Sequence, residues 1–116
     1  MYTIYHNPRC RKSREALNYL TDHGLEVLVV NYFEQEFTEE SLQAILKKIK
    51  KLPSEILRKN EADWKSLSNH SQFTENEILK AMIQFPKLIE RPIVITDTEG
   101  VLARPIENLE TFLKGR

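Results

Sequence analysis

Short apolar runs alternate with helical patterns along the first third of the chain. Residues 1–5 are a β-prone run that ends at the turn-forming pair Asn7-Pro8. Apolar residues at helical spacing then predict a helix from about Arg11 to His23, which Gly24 stops. Residues 27–32 are a nearly continuous run of β-prone residues that includes three valines, and they predict a buried strand. This β-α-β order over about 30 residues implies two parallel strands joined by a right-handed crossover.

The middle of the chain has a helical pattern. Glu39 and Glu40 open one segment after Thr38, and the lysines of residues 47–51 close it, as the helix macrodipole favours. A second helix is predicted to open at residues 74–77, whose sequence Thr-Glu-Asn-Glu is typical of a capping box. This helix should end before Pro86.

The end of the chain returns to strands. Residues 92–96 and 101–104 are predicted strands joined by a turn, and a terminal helix is predicted from Pro105 to about Lys114. The order is therefore βαβ, a helical middle, then ββα. We interpret residues 1–116 as a single α/β domain with a thioredoxin-like fold, a small mixed sheet, and a helical insertion at about 38–90. The insertion lies between the second and third strands, and the closing hairpin argues against an all-parallel doubly wound sheet.

Composition narrows the class of protein. The chain has 41% apolar and 29% charged residues with zero net charge, which is ordinary for a soluble globular domain and argues against nucleic acid or membrane as partners. Neither a signal peptide nor a membrane-spanning run is recognisable, so we expect a cytoplasmic protein. A single cysteine excludes an internal disulfide, and His23 and His70 have no partner at ligand spacing, so no metal is expected.

That cysteine, Cys10, lies in the segment "YHNPRCRKS", just before the first predicted helix. The N–H groups and dipole at a helix N-terminus favour a thiolate, and the neighbouring cations act in the same direction. His6 would assist if the loop folds back, and Ser13 places a hydroxyl where a dithiol oxidoreductase has its second cysteine. A lone cysteine is more often buried and inert, but Pro8 and the flanking cations favour a reactive thiol here.

Arginines that hold an anion beside Cys10 must come from elsewhere in the chain. A phosphatase of the low-molecular-weight kind needs Cys-x5-Arg, and Ala16 occupies the arginine position, so that chemistry is excluded. The candidates are Arg58, Arg91 and Arg104, which hold an anion better than lysine does because a guanidinium binds two oxygens at once. Each of them alone is more commonly a solvated surface charge. In a thioredoxin-like fold, a proline that opens the third strand packs beside the cysteine; Pro92 fits that place and would direct Arg91 at the thiol.

These motifs together resemble the glutaredoxin-dependent arsenate reductase family. The similarity runs from Thr3 to about Phe112, and its motifs are Tyr5-His6-Asn7-Pro8-x-Cys10-x-x-Ser13-Arg14, Leu57-Arg58-Lys59-Asn60, Arg91-Pro92-Ile93-Val94 and Arg104-Pro105. The resemblance implies that Cys10 attacks arsenate, that Arg58, Arg91 and Arg104 hold its oxygens, and that His6 and Ser13 favour the thiolate. It further implies glutathione and glutaredoxin as external reductants, with no bound cofactor.

The loop departs from the best-known members of that family at Arg9, Arg11 and Lys12, where they have small or neutral residues. The pattern "NPRCxKSRE" is similar to a sister branch of the family. Spx-type transcription regulators share the fold, but they usually have Cys-x-x-Cys, which Ser13 removes here. A thiol-based redox regulator without arsenate turnover is the alternative interpretation, and a monothiol oxidoreductase acting on glutathionylated proteins is a third. Binding of arsenate or sulfate beside Cys10 discriminates the enzyme from the regulator.

Overall fold

The computed structural model describes residues 1–34 and 36–115, which fall into two compact units. The sheet unit comprises Met1–Gln35 and Arg91–Arg116, and the inserted unit comprises Glu36–Glu90. The predicted insertion, 38–90, therefore differs from the inserted unit by two residues at its start. The assignment of the whole chain to a single domain stays a prediction.

The sheet unit contains a four-stranded mixed sheet. Its strands are β1 (Tyr2–His6), β2 (Val27–Asn31), β3 (Ile93–Ile95) and β4 (Gly100–Leu102), in the spatial order β2-β1-β3-β4. β1 is parallel to β2 and antiparallel to β3, and β3 and β4 form an antiparallel hairpin. The predicted βαβ…ββα order and the mixed sheet are confirmed.

Two helices pack in the sheet unit, α1 (Arg11–Asp22) and α5 (Ile106–Lys114). α1 ends where Gly24 takes a positive φ of 70°, a conformation that costs glycine little. The core of this unit is made by buried side chains from β1, α1, β3, α5 and the residue after β4: Ile4, Ala16, Leu20, Val94, Leu109 and Ala103. This core holds the β1–α1 loop beside the start of β3 and the end of β4.

The inserted unit is helical. Its α-helices are α2 (Glu39–Ile49), α3 (Ala62–Lys65) and α4 (Glu75–Gln84), and single 3₁₀ turns occupy Pro53–Ile56, His70–Gln72 and Pro86–Leu88. Thr38 caps α2 by accepting from the N–H of Ser41, and Thr74 caps α4 by accepting from the N–H of Glu77. Both predicted helix starts are therefore confirmed. Nowhere in residues 1–34 or 36–115 is a helix both long and apolar enough to cross a bilayer.

The prediction of a buried strand at residues 27–32 was wrong. β2 is an edge strand of the sheet, and Leu28 and Val29 remain 53% and 46% exposed. An apolar run is buried on both faces only where other elements cover both faces of the sheet at that strand. The apolar pattern of one strand does not reveal its place in the sheet order.

Two leucine-to-alanine substitutions test this placement. Leu20→Ala removes a fully buried core side chain and should lower the free energy of unfolding by about 2–5 kcal/mol. Leu28→Ala, at the exposed edge strand, should lower it by less than about 1 kcal/mol. Urea unfolding followed by circular dichroism measures both, and equal losses would contradict the assignment of β2 to the edge.

Candidate active site

A tight turn between β1 and α1 positions Cys10. The carbonyl of Asn7 accepts from the N–H of Cys10 at 2.9 Å, and the Asn7 side-chain Oδ1 accepts from the N–H of Arg9 at 3.1 Å. Asn7 is buried, and Arg14 steadies the turn from outside by donating from Nη1 to the carbonyl of Pro8 at 3.0 Å. The turn leaves Cys10 in extended conformation as the N-cap of α1.

Ser13 connects the turn to the first turn of α1. Its side chain is fully buried, and its Oγ accepts from the N–H of Asn7 at 3.3 Å. It stands at the third helical position after Cys10, where the backbone N–H of a helix points back at the N-cap side chain. Ser13 therefore brings its N–H and its hydroxyl close to the cysteine sulfur.

The Cys10 sulfur is stabilised as an anion. Burial alone would raise the pKa of Cys10, but the Ser13 N–H, the Arg91 guanidinium, the Ser13 hydroxyl and the Lys12 N–H outweigh it and lower the pKa to about 7. The side chain is only partly buried, so external reactants can reach it. The lowered pKa favours the thiolate near neutral pH, as an attacking cysteine requires.

Two of the cationic side chains next to Cys10 pair with a carboxylate on α1. Arg11 and Lys12 extend toward Glu15, at 3.8 and 3.9 Å, and none of the loop's cationic side chains is among the groups that lower the Cys10 pKa. The groups that lower the pKa are backbone N–H groups, one hydroxyl and Arg91, which lies just before β3. The expectation that the loop cations also activate the thiol stays a prediction.

His6 is buried at the end of β1, with 5% of its surface exposed. Burial lowers its pKa, an interaction with the Ser13 backbone raises it, and the charge of Arg14 lowers it further, with a net decrease. The ring is therefore neutral at pH 7. Its Nδ1 is buried and has no hydrogen bond partner within the part of the chain that the structure describes. Its predicted support of the thiolate stays a prediction.

Arg104 and Arg91 are brought to the cysteine from the two ends of the β3–β4 hairpin. Nη1 of Arg104 lies 3.9 Å from Sγ of Cys10 and donates to the carbonyl of Arg91 at 3.5 Å. Asn108, on the first turn of α5, fixes this corner by donating to the carbonyl of Arg104 at 3.1 Å. Both Arg-Pro bonds, Arg91-Pro92 and Arg104-Pro105, are cis. Two of the three predicted arginines therefore meet at the sulfur.

The Arg91 guanidinium is partly buried and has unused donors. Burial alone would lower its pKa, but the Cys10 sulfur and the Tyr32 hydroxyl raise it, so the group stays fully charged. Its Nε and Nη1 are buried and have no acceptor among the described residues. Buried N–H groups without an acceptor are costly. An oxyanion beside the sulfur would supply acceptors to these N–H groups.

Arg58 belongs to the inserted unit and has carboxylate partners there. Nη1 of Arg58 lies 3.3 Å from Glu61, and its Nε lies 3.6 Å from Glu90. These carboxylates offset its charge within the unit. The role predicted for Arg58 as an oxyanion ligand stays a prediction.

Tyr32 and Asn7 contribute to the site without having been singled out as site residues. Tyr32 follows β2, is 2% exposed, and interacts through its hydroxyl with Arg91. In the sequence it continues an apolar strand, and nothing local marks its hydroxyl. Asn7 was recognised as a turn former and as part of the motif around Cys10, and its side chain closes an Asx turn just before that cysteine.

The arrangement is suited to nucleophilic attack on an anion. A thiolate at the N-terminus of α1 faces two guanidinium groups, one of which has unused donors. Such a site binds a tetrahedral oxyanion and stabilises the charge that builds on its oxygens during attack. The described residues contain no group of three or more His, Cys, Asp or Glu side chains suited to hold a metal ion.

Comparison with known proteins finds one matching family and relatives that are similar over nearly the whole chain. A model of the ArsC family matches residues 5–112. The protein YfgD of Escherichia coli K12 is 40% identical over 108 residues, which is 91% of each chain. The arsenate reductase of Haemophilus influenzae is 34% identical over 112 residues, or 95% of this chain and 97% of that one.

Solved structures agree with the sequence comparison. A putative arsenate reductase from Yersinia pestis superposes with a TM-score of 0.87 at 36% identity, covering 96% of this chain and 99% of that one. The arsenate reductase from Vibrio cholerae superposes with a TM-score of 0.84 at 34% identity, covering 94% and 95%. The fold predicted from the sequence is therefore confirmed.

The pH dependence of Cys10 alkylation tests the thiolate. The rate with iodoacetamide should rise with a midpoint near pH 7, compared with about 8.5 for an unperturbed thiol. Arg91→Gln should raise the midpoint because it removes one of the groups that lower the pKa. Arg11→Gln should leave it nearly unchanged. A midpoint at or above the unperturbed value in the parent protein would contradict an activated thiol.

The same pKa shift predicts how stability depends on pH. Because the folded protein releases the Cys10 proton near pH 7 and the unfolded chain releases it only near about 8.5, the unfolded state binds more protons between these values. The thiolate therefore adds stability as pH rises from 7 to 9, and this contribution is lost as pH falls through 7. Cys10→Ser should lack that rise in urea unfolding, and an identical pH profile for both proteins would argue against the shift.

Tyr32→Phe tests the contact between Tyr32 and Arg91. The ring stays and the hydroxyl is lost, so a tetrahedral anion should bind about three- to tenfold more weakly, because one hydrogen-bonding group no longer orients the guanidinium. The affinity is measured by the sulfate concentration that half protects Cys10 from alkylation. Tyr19→Phe, on α1 where the ring stacks on His23, is the matched control. Equal affinities in both variants would remove Tyr32 from the site.

Proposed function

The chain belongs to the ArsC family, and from that premise we propose that it is an arsenate reductase that uses Cys10 and an external thiol. The observation that carries this proposal is the convergence of Arg91 and Arg104 on the Cys10 sulfur, with Nε and Nη1 of Arg91 buried and without an acceptor in residues 1–34 and 36–115. Arsenate is a tetrahedral oxyanion whose arsenic accepts a sulfur nucleophile. The arsenate reductases similar to this chain support the same substrate.

In the first step, the Cys10 thiolate attacks arsenic. The S–As bond forms, one As–O bond breaks, and the departing oxygen takes up a proton and leaves as hydroxide or water. Arg91 and Arg104 bind the remaining oxygens and stabilise their negative charge as the bond forms. Arsenic is still pentavalent in this adduct, so no electrons have yet been transferred.

Reduction requires a second sulfur from outside, because Cys10 is the only cysteine in the chain. An external thiolate attacks the Cys10 sulfur, an S–S bond forms, and the electron pair of the S–As bond stays on arsenic. Arsenic becomes trivalent and leaves as arsenous acid once its oxygens are protonated, while the two sulfurs together lose two electrons. A further thiol then cleaves the mixed disulfide and returns the Cys10 thiolate.

Glutathione as the first donor and glutaredoxin as the second fit this chemistry, with no cofactor bound to the protein. A cytoplasmic location fits as well, because a lone cysteine stays reduced there. A thiol-based redox regulator without arsenate turnover is the alternative. In that case Cys10 is still reactive, but the arginines have no role in arsenate turnover.

The direct test is NADPH oxidation that depends on arsenate, in a mixture containing glutathione, glutathione reductase and glutaredoxin. Cys10→Ser should be inactive while still folding, because a serine hydroxyl is too weak an acid to give a nucleophilic anion at neutral pH without a dedicated base. Arg91→Ala and Arg104→Ala should each lose about 1.5–3 kcal/mol of stabilisation, which is roughly a ten- to hundredfold loss in kcat/KM. Lysine at either position should restore only part of the activity.

Lys114→Ala is the control, since Lys114 is on the last turn of α5, about 12 Å along the helix from its start. Arg58→Ala in the same assay tests the role predicted for the third arginine. If Arg91→Ala and Arg104→Ala turn over arsenate as Lys114→Ala does, the arsenate reductase proposal fails and the redox regulator is favoured.

A further inference from the structure

Four cationic side chains lie next to Cys10 in the sequence and are exposed on the protein surface. Arg14 donates to the carbonyl of Pro8, whereas the other three have no part in the turn or in the proposed anion site. We call these three, Arg9, Arg11 and Lys12, the basic rim. All three are exposed, with Arg11 and Lys12 having 85% and 48% of their side-chain surface in solvent. One carboxylate, Glu15, pairs with two of them at 3.8 and 3.9 Å. The guanidinium of Arg9 has no hydrogen bond or ion pair in the described part of the chain, and the surface beside Cys10 is strongly positive.

The positive charges of Arg11 and Lys12 lie at the N-terminus of α1, where they are unfavourable for the helix. Cations near a helix N-terminus oppose the macrodipole, and acidic side chains are favoured there. The first turns of α2, α4 and α5 contain glutamates, whereas the first turn of α1 has no acidic residue and contains Arg11 and Lys12. Helix stability therefore does not account for the basic rim.

Other groups supply the main stabilisation of the thiolate. These groups are the N–H groups of Ser13 and Lys12, the Ser13 hydroxyl and the Arg91 guanidinium. The side chains of the basic rim are exposed, and two of them reach Glu15. Their charge therefore acts on whatever approaches Cys10 from solvent.

We infer that Arg9, Arg11 and Lys12 select the external sulfur reactant of Cys10, favouring small thiols and disulfides that bear carboxylates. This inference rests on the proposed function, in which an external thiolate must attack the Cys10 sulfur after arsenate has bound. Both that thiolate and the arsenate adduct are negatively charged and repel each other. Three exposed cations at the entrance offset this repulsion and raise the local concentration of an anionic thiol, whereas they disfavour a cationic one.

A disulfide exchange assay without arsenate isolates this surface. The Cys10 thiolate attacks one sulfur of a disulfide, a mixed disulfide forms, and the other half leaves as a thiolate, so no further reductant is needed. Oxidised glutathione is the anionic probe and cystamine is the cationic probe, and mass spectrometry follows the loss of free Cys10. The ratio of the two rates at one pH cancels the thiolate fraction and the intrinsic nucleophilicity of Cys10.

The variants are Arg9→Gln, Arg11→Gln, Lys12→Gln and the triple combination, with Lys114→Gln as the control for loss of one positive charge in the same unit. At about 10 mM ionic strength, each rim substitution should slow exchange with oxidised glutathione about two- to fourfold and should accelerate exchange with cystamine. The triple variant should show the largest change in the ratio. About 1 M salt should abolish most of the difference between the variants and the parent. Thermal unfolding should show no destabilisation of α1, because the substitutions remove cations from its N-terminus.

An unchanged ratio in the triple variant would overturn the inference, and so would a change of equal size in Lys114→Gln or a parallel fall of both rates. The outcome is separable from that of the arsenate assay. If the parent protein fails to turn over arsenate but the rim variants lose the preference for oxidised glutathione, the proposed function is refuted and the role inferred for the basic rim is supported. If the parent turns over arsenate and the rim variants keep the parent's ratio of exchange rates, only the role inferred for the basic rim is refuted.

Discussion

The negative charge on the Cys10 sulfur is the feature around which the sheet unit is organised. A partly buried thiolate is unstable unless hydrogen bond donors and cations replace the water that it loses. Here the donors are the N–H groups of Lys12 and Ser13 and the Ser13 hydroxyl, and the principal cation is Arg91. Each has to be held within reach of one atom. The Asn7 turn, the buried Ser13 and the β3–β4 hairpin provide these positions.

The cations near Cys10 form two groups with different partners. Arg91 and Arg104 come from the ends of the β3–β4 hairpin and face the sulfur. They are partly buried there and act through directional hydrogen bonds. Arg9, Arg11 and Lys12 come from the loop itself and extend into solvent, where their effect is longer in range and sensitive to salt. The first group is suited to binding an oxyanion, and the second to attracting an anionic reactant. Arg58 differs from both, because Glu61 and Glu90 already compensate its charge.

The mechanism proposed for this chain follows from having one cysteine and a hydroxyl at the position of the second. Ser13 cannot close a disulfide with Cys10, so in the proposed mechanism every catalytic cycle uses a sulfur reactant from solution. In exchange, the Ser13 side chain stabilises the thiolate and fixes the loop by accepting from Asn7. Dependence on an external thiol makes the surface around Cys10 part of the specificity of the reaction.

The sequence by itself determined the elements and the reactive residue. Capping residues at Thr38 and Thr74, the stop at Gly24 and the cysteine before α1 are local signals, because caps and turns involve residues only a few positions apart. The sheet order, the exposure of β2 and the contact of Tyr32 with Arg91 depend on residues far apart in the chain, and only the tertiary structure decided them. The same holds for the arginine at the sulfur. The pair of Arg11 with Glu15 is local, because the two residues lie one helical turn apart, whereas only the fold brings Arg104, which is 94 residues from Cys10 in the chain, to the sulfur.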